Sequence, residues 1–343
     1  MTTEPTLPQL LKDARRLLEE RGRAKKALQL LTRAPEPLAA HPEVMALRGR
    51  ALLELGREHE AREALEAAAA ASPPAVEALL DLGWWDLDED APDEARERAQ
   101  RVLARADVAP QAREEAYGLL IEALVDLGER PALRAALEAH QREHGEHPAV
   151  LLGRGRLLFL EGRFEDALVA LQAARKAAPA ALAWWWEAVA LERLERLAEA
   201  EQAYREASRL DPDTPRPVRI EDAACDALIE ATLAELPDEI RAEVEETCTV
   251  ARQDFPDPSR VRDEGVDPFV LGECLGTAER TRRGDPVGGQ HTGLTEVLVY
   301  RRNLERSCVD REELEEELRV TLLHELGHAL GLDEDGVAAL GLE

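Results

Sequence analysis

Between residues 8 and 214, apolar residues recur every three or four positions in paired runs, broken mid-pair by a glycine or an acidic turn and closed by a proline. That period puts one side of each run in a core, so pairs of antiparallel helices are predicted. The pairs start near Pro8, Pro42, Val76, Glu114, Pro148 and Ala181, mostly about 34 residues apart. The copy from Pro148 carries Leu151, Gly155, Leu158, Gly162, Ala167, Leu171, Ala174 and Pro179. The copy from Pro42 has Met45, Gly49, Leu52, Gly56, Ala61, Leu65, Ala68 and Pro73 at the same offsets. Gly49, Ala61, Gly155 and Ala167 are small where two helices cross closely, and the final proline stops the second helix. The third pair is degenerate, with Leu87-Asp88-Glu89-Asp90 in place of the usual turn, and the next start slips to a spacing of 38.

These offsets resemble the tetratricopeptide repeat over about 200 residues. The resemblance implies an all-α solenoid of six helix-turn-helix units whose concave face binds a protein or peptide. Trp84-Trp85 and Trp184-Trp185-Trp186 are expected to pack between repeats rather than to meet a ligand. The pattern breaks at Pro215-Arg216-Pro217, so residues 8–214 read as the repeat domain, 215–218 as a short stiff linker and 219–343 as a second domain.

In the second domain the period changes. Glu221 to Leu236 and Pro237 to Glu245 read as helices, Thr247 to Ala251 alternates like a strand, and Asp254 to Pro258 is a turn. A loop-rich stretch through Gly272, Gly276, Gly284 and Gly288-Gly289 precedes the clearest strand, Thr295 to Tyr300. Asp310 then caps a helix from about Arg311 to Leu330, with Glu312, Glu313 and Glu315 near its positive end. A small α+β domain is predicted.

Composition narrows the partners. Hydrophobic residues at 45% support a core, and only 3% aromatic residues point to Leu/Ala packing. A net charge of −28 argues against nucleic acid or an anionic membrane as the main partner. No apolar run reaches the roughly 18 residues of a membrane span. The first nine residues lack an apolar leader, so a cytoplasmic location is expected. Cys225, Cys248, Cys274 and Cys308 form no C-x-x-C pair and are expected as free thiols.

The candidate chemistry lies at His324-Glu325-Leu326-Gly327-His328. Histidines four apart on a helix project one turn apart from the same face, so both imidazoles reach one metal ion, and zinc is expected. Glu325 is placed to take a proton from water at that ion, as a general base. The third ligand is expected from the short tail after His328. Gly331 lets the chain leave the helix sharply, and Asp333, Glu334 and Asp335 follow; Glu334 is the first candidate and Asp333 the alternative. Met1 and Met45 are the only methionines, which excludes a Met-turn. His41, His59, His140, His144 and His147 fall within the repeats and are expected at the surface, while His291 sits in a glycine-rich loop and reads as incidental.

From about Arg219 to Glu343 these features resemble the minimal zincin-like metallopeptidases, with the pattern H-E-x-x-H-x-x-G-x-x-D. The resemblance implies an α+β zincin core with the Thr295–Arg302 strand along the substrate cleft, and zinc on His324, His328 and a tail carboxylate. The third slot departs from the pattern, holding Glu334 with Asp333 one residue earlier. Tyr300 and Arg302 could stabilise an oxyanion, though cleft-lining or solvent-facing structural roles are favoured. Three functions follow: a zinc-dependent metallopeptidase, a hydrolase whose repeats recruit protein substrate; a non-enzymatic adaptor with a structural or vestigial zinc site; or a hydrolase of a non-peptide amide or ester. The intact Glu325 favours the first.

Overall fold

The computed structural model describes residues 6–276, 295–333 and 336. The chain divides into two compact units, residues 1–157 and 158–343. A mostly helical array of repeats leads to a small C-terminal sheet with helices.

In the first unit α1 (Leu7–Glu19) pairs with α2 (Ala24–Thr32), α3 (Pro42–Leu53) with α4 (Glu58–Ala70), α5 (Val76–Asp88) with α6 (Pro92–Leu103), and α7 (Pro110–Asp126) with α8 (Arg130–His144). Helix α9 (Pro148–Leu160) spans the boundary. Gly56 and Gly128 turn each pair with φ of 69° and 64°, and the degenerate third pair puts Asp90 at φ 57° in the same role. The spacing of 38 falls one unit later than predicted, between Pro110 and Pro148, and is one added helical turn: α7 has 17 residues where α5 has 13. Its start is Pro110, so Glu114 lies one turn inside the helix. A Cβ on Gly49 would sit 2.6 Å from Leu65 Cγ and 3.2 Å from the Ala61 carbonyl, which is why this crossing excludes a side chain.

Two side-chain expectations fail in this unit: Trp84, expected to pack between repeats, is 36% exposed, and His140 is not at the surface. His140 is buried, 1% exposed, and neither ring nitrogen has a hydrogen-bond partner. Its ring stacks on Tyr117 at 5.1 Å and meets His144 at 5.1 Å and His147 at 6.2 Å. The residue lies on the inward stripe of α8 with Leu133, Ala136 and Leu137, and helical position outweighed its polarity. Burial, then the neighbouring His144 and His147, hold its pKa below the ordinary histidine value, against a smaller opposing pull from Glu114 and Glu143. A histidine with a depressed folded pKa leaves stability intact above its unfolded pKa of about 6.5 and erodes it as pH falls from there toward the folded value. Thermal melts from pH 8 to 5 are therefore expected to show a steeper acid loss for wild type than for His140→Phe, which keeps the stack and cannot titrate. Parallel profiles would refute this.

The second unit continues with α10 (Phe164–Ala177), α11 (Ala181–Arg193) and α12 (Leu197–Leu210), then α13 (Asp222–Glu235) and α14 (Asp238–Thr247). Strands β1 (Cys248–Gln253), β2 (Gly272–Leu275) and β3 (Thr295–Tyr300) precede α15 (Arg301–Ser307) and α16 (Arg311–Ala329). The sheet order is β1-β3-β2, with β1 parallel and β2 antiparallel to β3. Val297 and Val299 of β3 share one core with Leu314, Leu318, Leu322 and Leu326 of α16, joined by Ile229, Val244, Cys225 and Cys308. The Asp310 carboxylate accepts from Glu312 N at 2.9 Å and Glu313 N at 3.0 Å, capping α16 as its sequence predicts.

The last repeat is tied to this sheet by charge. The Glu192 and Glu305 side chains are wholly buried; Glu192 pairs with Arg219 at 2.5 Å and Arg306 at 2.8 Å, and Glu305 with Arg219 at 2.6 Å and Arg302 at 2.8 Å. Trp186 is buried against Phe159, the packing role expected for it, while Trp184 lies under the Arg175 guanidinium. All four cysteines are free thiols. Among the described residues no helix is long and apolar enough to cross a membrane.

Candidate metal centre

Helix α16 turns its leucines onto the sheet, which leaves His324, Glu325 and His328 half-buried along the margin of that contact. The two imidazoles meet at 77° with centroids 4.7 Å apart, and their Nε2 atoms are 3.0 Å apart. His328 Nδ1 lies 3.1 Å from the Leu332 carbonyl oxygen. A carbonyl only accepts, so that nitrogen carries the proton and Nε2 presents a lone pair, the arrangement a metal-ligating histidine needs. On a tetrahedral ion with bonds of about 2.0–2.1 Å, two ligand nitrogens stand roughly 3.3 Å apart, so the pair fits zinc with little adjustment.

Glu325 faces the edge strand β2. A Cβ added to Gly272 would lie 3.0 Å from Glu325 Cγ, 2.8 Å from Thr321 Cγ2 and 2.9 Å from the Leu298 carbonyl. Only glycine lets β2 lie this close to α16. Two residues on, burial pushes the Cys274 thiol up to about 11, with the Glu325 and Cys248 charges adding to the shift.

Other expected participants are placed differently. Glu334, the first candidate for third ligand, lies outside the described residues, as does His291. Asp333 is exposed, and its carboxylate accepts from Gly336 N at 3.1 Å. Among the described residues no group of three or more metal-capable side chains converges, so Asp333 is not brought together with the histidines. The strand expected along the substrate cleft, β3, is the central strand and already paired on both sides; the edge beside Glu325 is β2. Tyr300, expected to line the cleft or face solvent, is fully buried instead and donates to Glu273 at 2.5 Å, and Arg302 pairs with Glu305. Sequence reading missed β2 and its contact with Glu325, because a four-residue strand that starts on glycine carries too little pattern.

Residues 245–342 match the family model described as zincin-like metallopeptidase. The chain carries a zincin-like domain. Upstream of it, residues 42–74, 120–179 and 161–215 match tetratricopeptide-repeat models. No curated protein matches the sequence. Among solved structures, the chain is similar to PilF of Pseudomonas aeruginosa, with TM-score 0.48 and 17% identity over 60% of this chain and 92% of that one. A thermophilic TPR protein of Thermus thermophilus matches at TM-score 0.42 and 23% identity over 50% and 92%. A tetratricopeptide repeat protein from Parabacteroides merdae matches at 0.46 and 15% over 61% and 80%. The zincin-like domain thus holds the His324–His328 pair, and the repeats lie before it.

Proposed function

We propose that the chain is a zinc-dependent peptidase, in which the region 219–343 cleaves and the repeats of 8–214 recruit a protein substrate. The carrying observation is the pair of Nε2 atoms 3.0 Å apart on α16, with Glu325 between them in sequence and against the edge strand β2. His324 and His328 would hold the ion, with Glu334 or, failing that, Asp333 completing the set. When bound, zinc supplies Lewis-acid activation of water and of the scissile carbonyl. Glu325 then takes a proton from the attacking water and passes it to the leaving amine nitrogen. Among the described residues the outer edge of β2 has no strand beside it, and that edge would offer main-chain hydrogen bonds to an extended peptide, aligning its backbone beside Glu325. The acidic surface keeps the chain off nucleic acid and favours basic substrates.

Zinc content and hydrolysis of an unfolded protein by wild type and Glu325→Gln test this reading. Both are expected to bind one zinc, with hydrolysis lowered about 100- to 10,000-fold in the variant. A zinc-loaded wild type that cleaves nothing across a broad peptide library favours the adaptor function instead. Equal activity in Glu325→Gln removes the general base.

A further inference from the structure

The segment that leads into β2 begins on the repeats. Phe269, three residues before Gly272, sits with its ring 5.3 Å from Phe159 and 5.6 Å from Trp186, residues of α9 and α11. Phe159 and Trp186 are 1% and 5% exposed, so this aromatic seat is rigid and dry. The Arg306 guanidinium lies 5.6 Å from the Phe269 ring centroid and closes the seat from α15. On either side of Phe269 the backbone is pinned. Asn303, almost fully buried, donates to the Pro268 carbonyl at 3.0 Å and the Val270 carbonyl at 2.6 Å. Tyr300 N donates to the Leu271 carbonyl at 2.7 Å. The next residue is Gly272, whose backbone lies under Thr321 and Glu325. A second contact runs alongside: a Cβ on Gly162, in the turn between α9 and α10, would meet Arg262 N at 3.1 Å.

We propose that Phe269 is a positioning residue, through which the last two repeats set the distance between the β2 edge and Glu325. The inference rests on the peptidase reading for its catalytic consequence, though not for its structural one. A strand of four residues has few hydrogen bonds of its own with which to hold station. Its place is fixed by the anchor before it, and that anchor is seated in repeat helices. Displacement of the strand by a fraction of an ångström changes the contact with Glu325 directly, because no side chain intervenes at Gly272. The surface of α9 and α11 around Phe159 and Trp186 is therefore part of the peptidase, already filled from within the chain. Substrate recruitment falls to other repeat surfaces. A ligand that displaced Phe269 from this seat would loosen the edge that the substrate pairs with.

Phe269→Ala and Phe269→Leu, in the full chain, separate positioning from simple stability. The alanine variant is expected to bind zinc like wild type, to exchange the amides of Gly272–Leu275 faster, and to lose at least about 10-fold in kcat with little change in KM. The leucine variant, which refills most of the seat, is expected to recover both readouts. Trp186→Leu opens the same seat from the repeat side, and should reproduce the faster exchange in β2 if the alanine variant does not fold. Wild-type exchange in β2 for Phe269→Ala and Trp186→Leu overturns the strut itself, whatever the chain hydrolyses. Faster exchange with unchanged kcat overturns the link to Glu325. If zinc-loaded wild type cleaves nothing, the peptidase reading falls alone and the exchange measurement still decides the strut.

Discussion

Replacing His328 with alanine is expected to lower zinc affinity by more than about 100-fold, beyond the 10- to 100-fold that loss of an outer partner costs. Two effects combine at this residue. Its Nε2 is one of the two nitrogens that converge at 3.0 Å, so its removal leaves a single imidazole on α16. Its Nδ1 also contacts the Leu332 carbonyl at 3.1 Å, just past Gly331, whose φ of 89° turns the chain out of the helix. That contact orients the ring and holds the start of the tail from which the third ligand is proposed. Alanine loses both the ligand and the contact that orients it. His59→Ala is the control, since that side chain is 87% exposed in the repeats. Competition against a chromophoric chelator gives the affinities, and far-UV circular dichroism checks that the helices persist. An affinity within about threefold of wild type for His328→Ala would remove zinc from this site.

The pattern of repeats was legible in the sequence because each unit carries its own turn chemistry. Gly56, Gly128 and Gly162 all sit at positive φ, where glycine is the least strained residue. Asp90 and Glu195 accept the same conformation without being glycine, so the third and sixth units keep the turn that their residues do not advertise. Strand β3 was read correctly at both ends because its apolar residues are β-branched or large and run unbroken. Helix α15 was not read at all. Four of its seven residues, Arg301, Asn303, Leu304 and Glu305, are buried, three of them polar, and the partners that permit this come from distant parts of the chain. Arg301 pairs with Asp254 at 2.6 Å, and Asn303 bonds to the carbonyls around Phe269. Local periodicity cannot report such partners. The same holds for His140, whose burial rests on a stack with Tyr117 in the preceding helix. At the candidate site the two histidines and Glu325 were visible from spacing alone. Gly272 was not, because its role is to be absent where Glu325 and Thr321 stand.

The largest loss of stability is expected from Glu305→Ala. Its carboxylate is wholly buried and holds Arg219 at 2.6 Å, Arg302 at 2.8 Å and the backbone N of Ile220 at 3.2 Å. Its own carbonyl accepts from Val218 N, so this one residue ties residues 218–220, the exit of the Pro-Arg-Pro segment, to α15. Removing one partner from a buried ion pair costs about 3–5 kcal/mol, because the remaining charges lose compensation without regaining water. The lower end applies here. Arg219 keeps Glu192 and Glu201, and Arg302 keeps Asp254, so neither cation is left without a carboxylate. A loss of about 3 kcal/mol corresponds to roughly 6–12 °C in melting temperature for a unit of this size. Glu199→Ala is the matched control: its pair with Arg196 is 42–57% exposed and screened by water, so little stability is at stake. Denaturant unfolding of both variants measures the difference, with Glu305→Gln expected to fall between them because it keeps the hydrogen bond to Ile220 and loses the charge. A Glu305→Ala loss no larger than that of Glu199→Ala would mean that packing of Phe269, Phe159 and Trp186 holds the last repeat to the sheet without help from charge. The buried carboxylates would then be tolerated there rather than needed.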